Sequence, residues 1–190
     1  ASAAWDLRHN LTASFVYDVP FGKGRKFGSG MSSVANAIAG GWQINGLLSL
    51  RSGQHFTLGT SQGLCQCANV QPDVVPGRDP NNAPAAGRTP DLWFDVDAVT
   101  RPAPGTTGTL GLQSNTAPPQ KNMDFSLFKD FRFTESKRLQ FRTEVFNLTN
   151  TPFFDVGSIN RVQGNPGFGR IDRTVGGSER HVQLSLRFIF

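Results

Sequence analysis

The sequence predicts an all-β chain: an antiparallel transmembrane β-barrel segment, about five long strands of a larger barrel, with long extracellular loops. Three observations predict it. Five segments alternate apolar and polar residues with a period of two. Each runs to about eleven residues, against about 5–6 for an ordinary globular strand. The connections alternate between short and very long.

The first segment puts Leu11, Ala13, Phe15, Tyr17 and Val19 on one face and Asn10, Thr12, Ser14 and Asp18 on the other, with Val16 as the exception. The second sets Trp42, Ile44, Gly46, Leu48 and Leu50 against Gln43, Asn45, Ser49 and Arg51. In the third, Met123, Phe125, Leu127, Phe131 and Phe133 oppose Asn122, Asp124, Ser126, Asp130 and Arg132. Phe128 and Lys129 break that pattern, and Lys129 falls on the apolar face. A lysine there can snorkel if it lies near an interface. At mid-bilayer it would demand a bulge or another register. The fourth sets Leu139, Phe141, Thr143 and Val145 against Arg138, Gln140, Arg142 and Glu144. The last sets Val182, Leu184, Leu186, Phe188 and Phe190 against His181, Gln183, Ser185 and Arg187. Eleven residues tilted near 40° cover about 28 Å, close to the apolar band of about 25 Å in an outer-membrane barrel.

A short turn near Thr134-Glu135-Ser136 joins the third and fourth segments. A basic, Gly-rich piece from Phe21 to Phe27 follows the first, and Met31 to Ala39 has room for a brief helix. Residues 53–120 form a long excursion with nine of the chain's twelve prolines. Residues 149–179 form a second, with Gly164-Asn165-Pro166-Gly167 as a turn signal and a short strand expected over Phe168 to Thr174. Compact soluble domains rarely carry connections that long. Both read as extracellular loops of one domain, residues 1–190.

Composition excludes other classes. Charged residues are 17% of the 190, the net charge is only +5, and Phe numbers 16 against a single Tyr. That is neither a disordered chain nor a dedicated nucleic-acid binder. No apolar run of about 18 residues suggests a transmembrane helix. Ala1 to Trp5 shows neither a basic start nor an apolar run of signal-peptide type, so the chain is expected either to be cytosolic or to begin after an upstream part, and the strand pattern favours the second.

An ordered series of motifs carries a resemblance. It comprises Asp6-Leu7-Arg8-His9-Asn10, Tyr17-Asp18-Val19-Pro20-Phe21-Gly22-Lys23-Gly24-Arg25 and Gly40-Gly41-Trp42-Gln43-Ile44-Asn45-Gly46. It continues in Arg51-Ser52-Gly53-Gln54, Asn122 to Lys129 and Glu144 to Pro152, and ends in Val182 to Phe190. Nearly the whole chain, apart from the middle of the long loop, resembles the carboxy-terminal barrel of TonB-dependent outer-membrane receptors of the Oar-like type. The resemblance implies the cell outer membrane of a Gram-negative bacterium. It implies uptake of a solute of siderophore, cobalamin, glycan or peptide class, with this chain supplying barrel wall and ligand-facing loops. It implies as partners the outer-membrane lipid, upstream strands and a plug domain, the barrel-assembly machinery, and the inner-membrane TonB complex acting through the plug. It implies an assembly signal in the last strand, at Leu184, Leu186, Phe188 and Phe190. Five spans would leave two open edges, which lipid cannot solvate, so upstream strands or another chain are expected to supply the rest.

The chemistry-bearing residues give no catalytic or cofactor expectation. Cys65-Gln66-Cys67 reads as a possible disulfide, as free thiols, or least readily as a metal site, with His55 the only other ligand in reach. His9, His55 and His181 form no motif, and no nucleophile elbow is present. Asp91, Asp95 and Asp97 with Asn81 and Asn82 lack calcium-loop spacing and read as a polar loop. Trp93, Phe94 and Asp95 follow the family-like loop pattern and are the expected ligand-facing residues. Lys23, Arg25 and Lys26 read as a solvated turn, or as contacts to anionic groups at a membrane rim. Arg138, Arg142, Glu144, Arg187 and Asp130 read as a ladder of cross-strand pairs facing the lumen, or as a solute path. The competing reading is a soluble or surface β-sandwich binding module, in which the same apolar faces meet in a closed interior.

Overall fold

The computed structural model describes residues 3–61, 70–134 and 136–190. The chain divides into two compact units. The sheet unit comprises Leu11–Leu50, Lys121–Thr151 and Ser178–Phe190, and the loop unit Ala1–Asn10, Arg51–Gln120 and Pro152–Gly177.

The sheet unit contains the five expected strands: β1 (Asn10–Asp18), β2 (Trp42–Arg51), β3 (Gln120–Arg132), β4 (Arg138–Phe146) and β5 (His181–Ile189). They form one sheet in chain order. It is open: β1 and β5 each have a single neighbour, so the expected barrel wall is present as a sheet and not as a closed barrel. Nine residues, the length of β1, β4 and β5, cover about 23 Å at a 40° tilt.

Register decides which residues share a side. In the antiparallel β3–β4 pair, Phe125 faces Val145, Leu127 faces Thr143, Lys129 faces Phe141 and Phe131 faces Leu139. In the antiparallel β4–β5 pair the same β4 residues face Val182, Leu184, Leu186 and Phe188. Cross-strand partners point to the same side of a sheet. These apolar residues therefore make continuous rows across three strands. On β2, Trp42 lies with its ring 4.8 Å from the Lys129 ammonium, and the Phe15 ring of β1 lies over Gly46. A Cβ on Gly46 would come within 2.2 Å of that ring. The glycine is what lets the ring lie flat on β2. All five apolar faces thus fall on one side of the sheet.

The β3–β4 register runs without a break from Phe125 to Arg132. No bulge displaces Lys129, and its place on the apolar face is real. It lies three residues before the end of β3, beside the short turn. That turn closes through Phe133 N–H to Lys137 O at 3.0 Å and Lys137 N–H to Thr134 Oγ1 at 3.0 Å.

The brief helix is α1 (Ser33–Ala39), with the Ser32 hydroxyl accepting from Ala35 N–H as N-cap. The chain makes its short connections, from β1 to β2 and from β3 to β4, at one end of the strands, and its two long connections start from the other.

The loop unit has its own hydrophobic core of Phe56, Leu58, Phe94, Val99, Leu110, Ala117, Ile159 and Ile171. Phe94 is at its centre, 5.9 Å from the Phe56 ring and edge-on to Phe168 at 5.2 Å. Three two-residue ribbons tie distant segments together: His55–Phe56 with Asn115–Thr116, Asp73–Val74 with Val99–Thr100, and Gly59–Thr60 parallel to Val162–Gln163. Gly169, at φ 93°, packs where a Cβ would come within 2.6 Å of Val96 Cγ1. The strand expected over Phe168 to Thr174 is corrected: that stretch makes only single bridges, Ile171 to Ile159 and Thr174 to Phe154. Its backbone is spent on turns, with Gly169 N–H bonding Asn160 O and Arg170 N–H bonding Gly167 O. Among the described residues no helix is long and apolar enough to cross a membrane, which has no bearing on strands.

Candidate functional site

The two sides of the sheet differ in chemistry. On the apolar side, Leu11, Phe15, Tyr17, Val182, Leu184, Leu186 and Phe188 are all exposed, Leu186 at 68%. Every buried hydrophobic among the described residues belongs to the loop unit and none to these rows. Phe190, next to Phe188 with ring centroids 6.0 Å apart, is exposed as well.

The polar side is a hydrogen-bonded surface. Gln43 Nε2 donates to Asp18 Oδ1 at 2.8 Å, joining β1 to β2. Gln140 Nε2 donates to Asp130 Oδ1 at 3.0 Å, and Arg138 approaches the same carboxylate at 3.7 Å. Arg142 pairs with Glu144 at 2.5 Å while its guanidinium covers the Phe128 ring at 4.7 Å. Phe128 and Arg142 are direct cross-strand partners. The apolar residue that breaks the third segment's pattern is therefore the platform for an arginine. Arg187, opposite Gln140, extends the row.

Lys129 is 2% exposed although it belongs to the apolar side. Its ammonium is 4.8 Å from the Trp42 ring and 5.0 Å from the Phe131 ring, and it donates to Gly40 O. Trp42 Nε1 donates to Ile38 O at 2.9 Å. Two carbonyls at the end of α1 are thus held from the apolar side of the sheet, one by an ammonium and one by an indole. Sequence reasoning saw Lys129 only as an anomaly, because Gly40 is 89 residues away along the chain. Asn147, buried at the exit of β4 with φ 49°, was also missed. Its amide donates to Thr151 O at 2.8 Å and Ser178 O at 2.6 Å, and its oxygen accepts from Thr151 N–H at 3.1 Å. Asparagine tolerates the left-handed region that this turn needs.

In the loop unit the three expected ligand-facing residues have different surroundings. Phe94 is fully buried. Asp95 accepts from Arg78 Nε at 3.0 Å and Arg78 Nη2 at 2.7 Å, and caps the one-turn helix Val96–Ala98 through Asp97 N–H. Trp93 is half-buried, donates from Nε1 to Thr116 O at 2.8 Å, and carries the Arg88 guanidinium 5.1 Å from its ring. Arg88 in turn donates to Asn81 O at 2.5 Å. Burial pulls the Arg88 pKa below its ordinary value, opposed by the Asp79 carboxylate. Nothing in the spacing of Arg88 and Trp93 announces this stack.

The other candidates do not converge. His55 Nδ1 is 3.4 Å from Thr116 Oγ1, His181 Nε2 is 3.3 Å from Glu179, and the His9 backbone bonds Ser52 Oγ. Among the described residues no group of three or more His, Cys, Asp and Glu side chains could hold a metal ion. Asn81 Oδ1 accepts from Thr116 N–H at 2.8 Å. Cys65 and Cys67 lie outside the described residues.

A family model described as an outer membrane beta barrel domain matches residues 1–183. No curated protein and no solved structure shows significant similarity to the chain.

Proposed function

Because the chain belongs to the outer membrane beta barrel domain family, and so to the outer membrane, we propose that its five strands are barrel wall with the apolar side turned to lipid and the polar side turned to the lumen. The observation that carries this reading is the sheet's two-sidedness. Its apolar rows are continuous across β3, β4 and β5 and exposed on β1 and β5, while the opposite side is hydrogen-bonded. An arginine or lysine at mid-bilayer on a lipid face costs about 2–4 kcal/mol. The charged residues Asp130, Arg138, Arg142, Glu144 and Arg187 all avoid that side. Lys129 and, by the strand's alternation, Lys121 are the exceptions; each is near an end of β3, and Lys129 has a carbonyl partner.

The unpaired edges of β1 and β5 are taken up by further strands, because lipid cannot solvate open backbone groups. The whole assembly is a TonB-dependent receptor of the Oar-like type, with a plug and energising complex as partners and a solute as cargo. In this reading Trp93 with Arg88 is the ligand-facing element of the long loop, and Phe94 and Asp95 fix it in place. The motif series from Asp6 to Phe190 supports this finer assignment. The isolated chain should aggregate without detergent and disperse in micelles. A monodisperse monomer in detergent-free buffer would overturn the lipid-facing assignment in favour of the sandwich. Solute uptake that survives loss of the TonB complex would overturn the receptor assignment alone.

A further inference from the structure

The connection between β1 and β2 is more ordered than a linker requires. Phe27 N–H bonds Pro20 O, Gly22 N–H bonds Phe27 O, and Lys23 N–H bonds Asn36 Oδ1 at 2.7 Å. The turn is thereby fixed to α1, and α1 to the sheet through Trp42 and Lys129. This small platform exposes apolar side chains: Val34 at 72% and Ile38 at 69%, one helical turn apart, with Phe21 and Phe27 packed against each other at 5.6 Å. Residues 20–41 carry Lys23, Arg25 and Lys26 and no acidic residue.

We propose that this connection is an interfacial foot: Val34 and Ile38 dip into the acyl boundary of the adjoining leaflet, and Lys23, Arg25 and Lys26 meet the phosphates of anionic phospholipids. The proposal rests on the lipid-facing reading of the sheet. Two observations favour lipid over a protein partner. First, the end of α1 that carries Ile38 is held from the apolar side, by Trp42 and Lys129, so this end of the foot adjoins the surface assigned to hydrocarbon. Tryptophan with an exposed apolar neighbour and nearby cations is the composition of a membrane–water interface. Second, the charge is of one sign, which suits an anionic headgroup layer. Arg25 lies 4.0 Å from the Asp18 carboxylate, and the Lys23 ammonium donates to Ser33 Oγ at 3.1 Å, which leaves donor N–H groups of both for a phosphate. Lys26 covers the Phe27 ring at 5.5 Å.

Photocrosslinking in cells grown with 32P-phosphate tests this in the membrane-resident chain. A benzophenone amino acid is placed at Ile38, at Leu186 as the lipid-facing control, and at Gln140 on the polar side. Labelled phospholipid is expected on the first two and not the third. K23E/R25E/K26E should cut labelling at Ile38 severalfold and leave Leu186 unchanged. Label at Leu186 without label at Ile38, or a protein adduct at Ile38, would overturn the foot alone. Absence of label at Leu186 would remove the lipid-facing reading and the foot with it.

Discussion

The two units dispose of their hydrophobic residues in opposite ways. The loop unit buries Phe56, Leu58, Phe94, Ile159 and Ile171 in a core of its own, as a water-soluble domain does. The sheet unit leaves Phe15, Tyr17, Leu184, Leu186 and Phe188 exposed along one side. Burying a large apolar side chain is worth about 1.5–3 kcal/mol. The sheet forgoes this gain along its outer strands, β1 and β5, and keeps the apolar side chains of the three inner strands only half-buried, as the proposed contact with lipid requires. The loop unit shows that the same chain can make an ordinary core where it needs one.

Substitutions can break that contrast. The largest effect is expected at Phe94. Removing its side chain should cost about 3–5 kcal/mol, as large-to-small changes at a filled core site do. Backbone hydrogen exchange over residues 70–120 should rise with Phe94→Ala, while β3 and β4 keep their protection. Loss of protection in the strands as well would mean that the units do not fold separately. Next is Leu184→Arg, near the middle of β5. In water an exposed side chain could be exchanged almost freely, but at mid-bilayer on a lipid-facing strand this change should cost about 2–4 kcal/mol. Denaturant titration of the membrane-inserted protein would measure it. An unchanged midpoint would place Leu184 away from hydrocarbon.

The difference between the units also decides what was legible. A strand's period of two makes its faces local, so Phe125, Leu127, Val145 and Leu184 could be assigned to one side from spacing alone. The register then aligned the sides of β3, β4 and β5, and the Trp42 and Phe15 rings placed those of β2 and β1. The loop core was illegible because its contacts join distant segments with no period. Phe56 meets Phe94, and Gly59 pairs with Val162. The same holds for the site. Trp93, Phe94 and Asp95 stood out together in sequence, but only the fold gives them different environments, one beneath an arginine, one in the core and one capping a turn. Lys129 was visible as a broken pattern, yet the carbonyl that explains it comes from another connection.

Asn147 sharpens the comparison at the sheet's edge. Its amide serves two backbone carbonyls, of Thr151 and Ser178, which join the exit of β4 to the approach of β5. Asn147→Ala would leave both carbonyls without this donor and ask alanine to hold a positive φ. The expected loss is about 1–3 kcal/mol, the cost of an unsatisfied buried polar group. It should show as faster exchange in β5 than in β3. Equal loosening of the two strands would mean that the turn does not anchor β5.

The smallest expected effect is at Arg78. Its fork on Asp95 has good geometry, at 3.0 and 2.7 Å. However, Arg78 is 43% exposed, so water screens the pair. Such pairs contribute about 0.2–1 kcal/mol. Asp95 keeps its cap on Val96–Ala98 without Arg78. Arg78→Ala should therefore lower the stability of the loop unit by well under the effect of Phe94→Ala, and high salt should erase the difference from the parent chain. Asp95→Ala removes the cap as well as the pair, and a missing cap costs about 1 kcal/mol irrespective of salt. A salt titration of both variants separates the two roles. If Arg78→Ala proved as damaging as Asp95→Ala at high salt, Arg78 would be holding the loop through its packing and not through its charge.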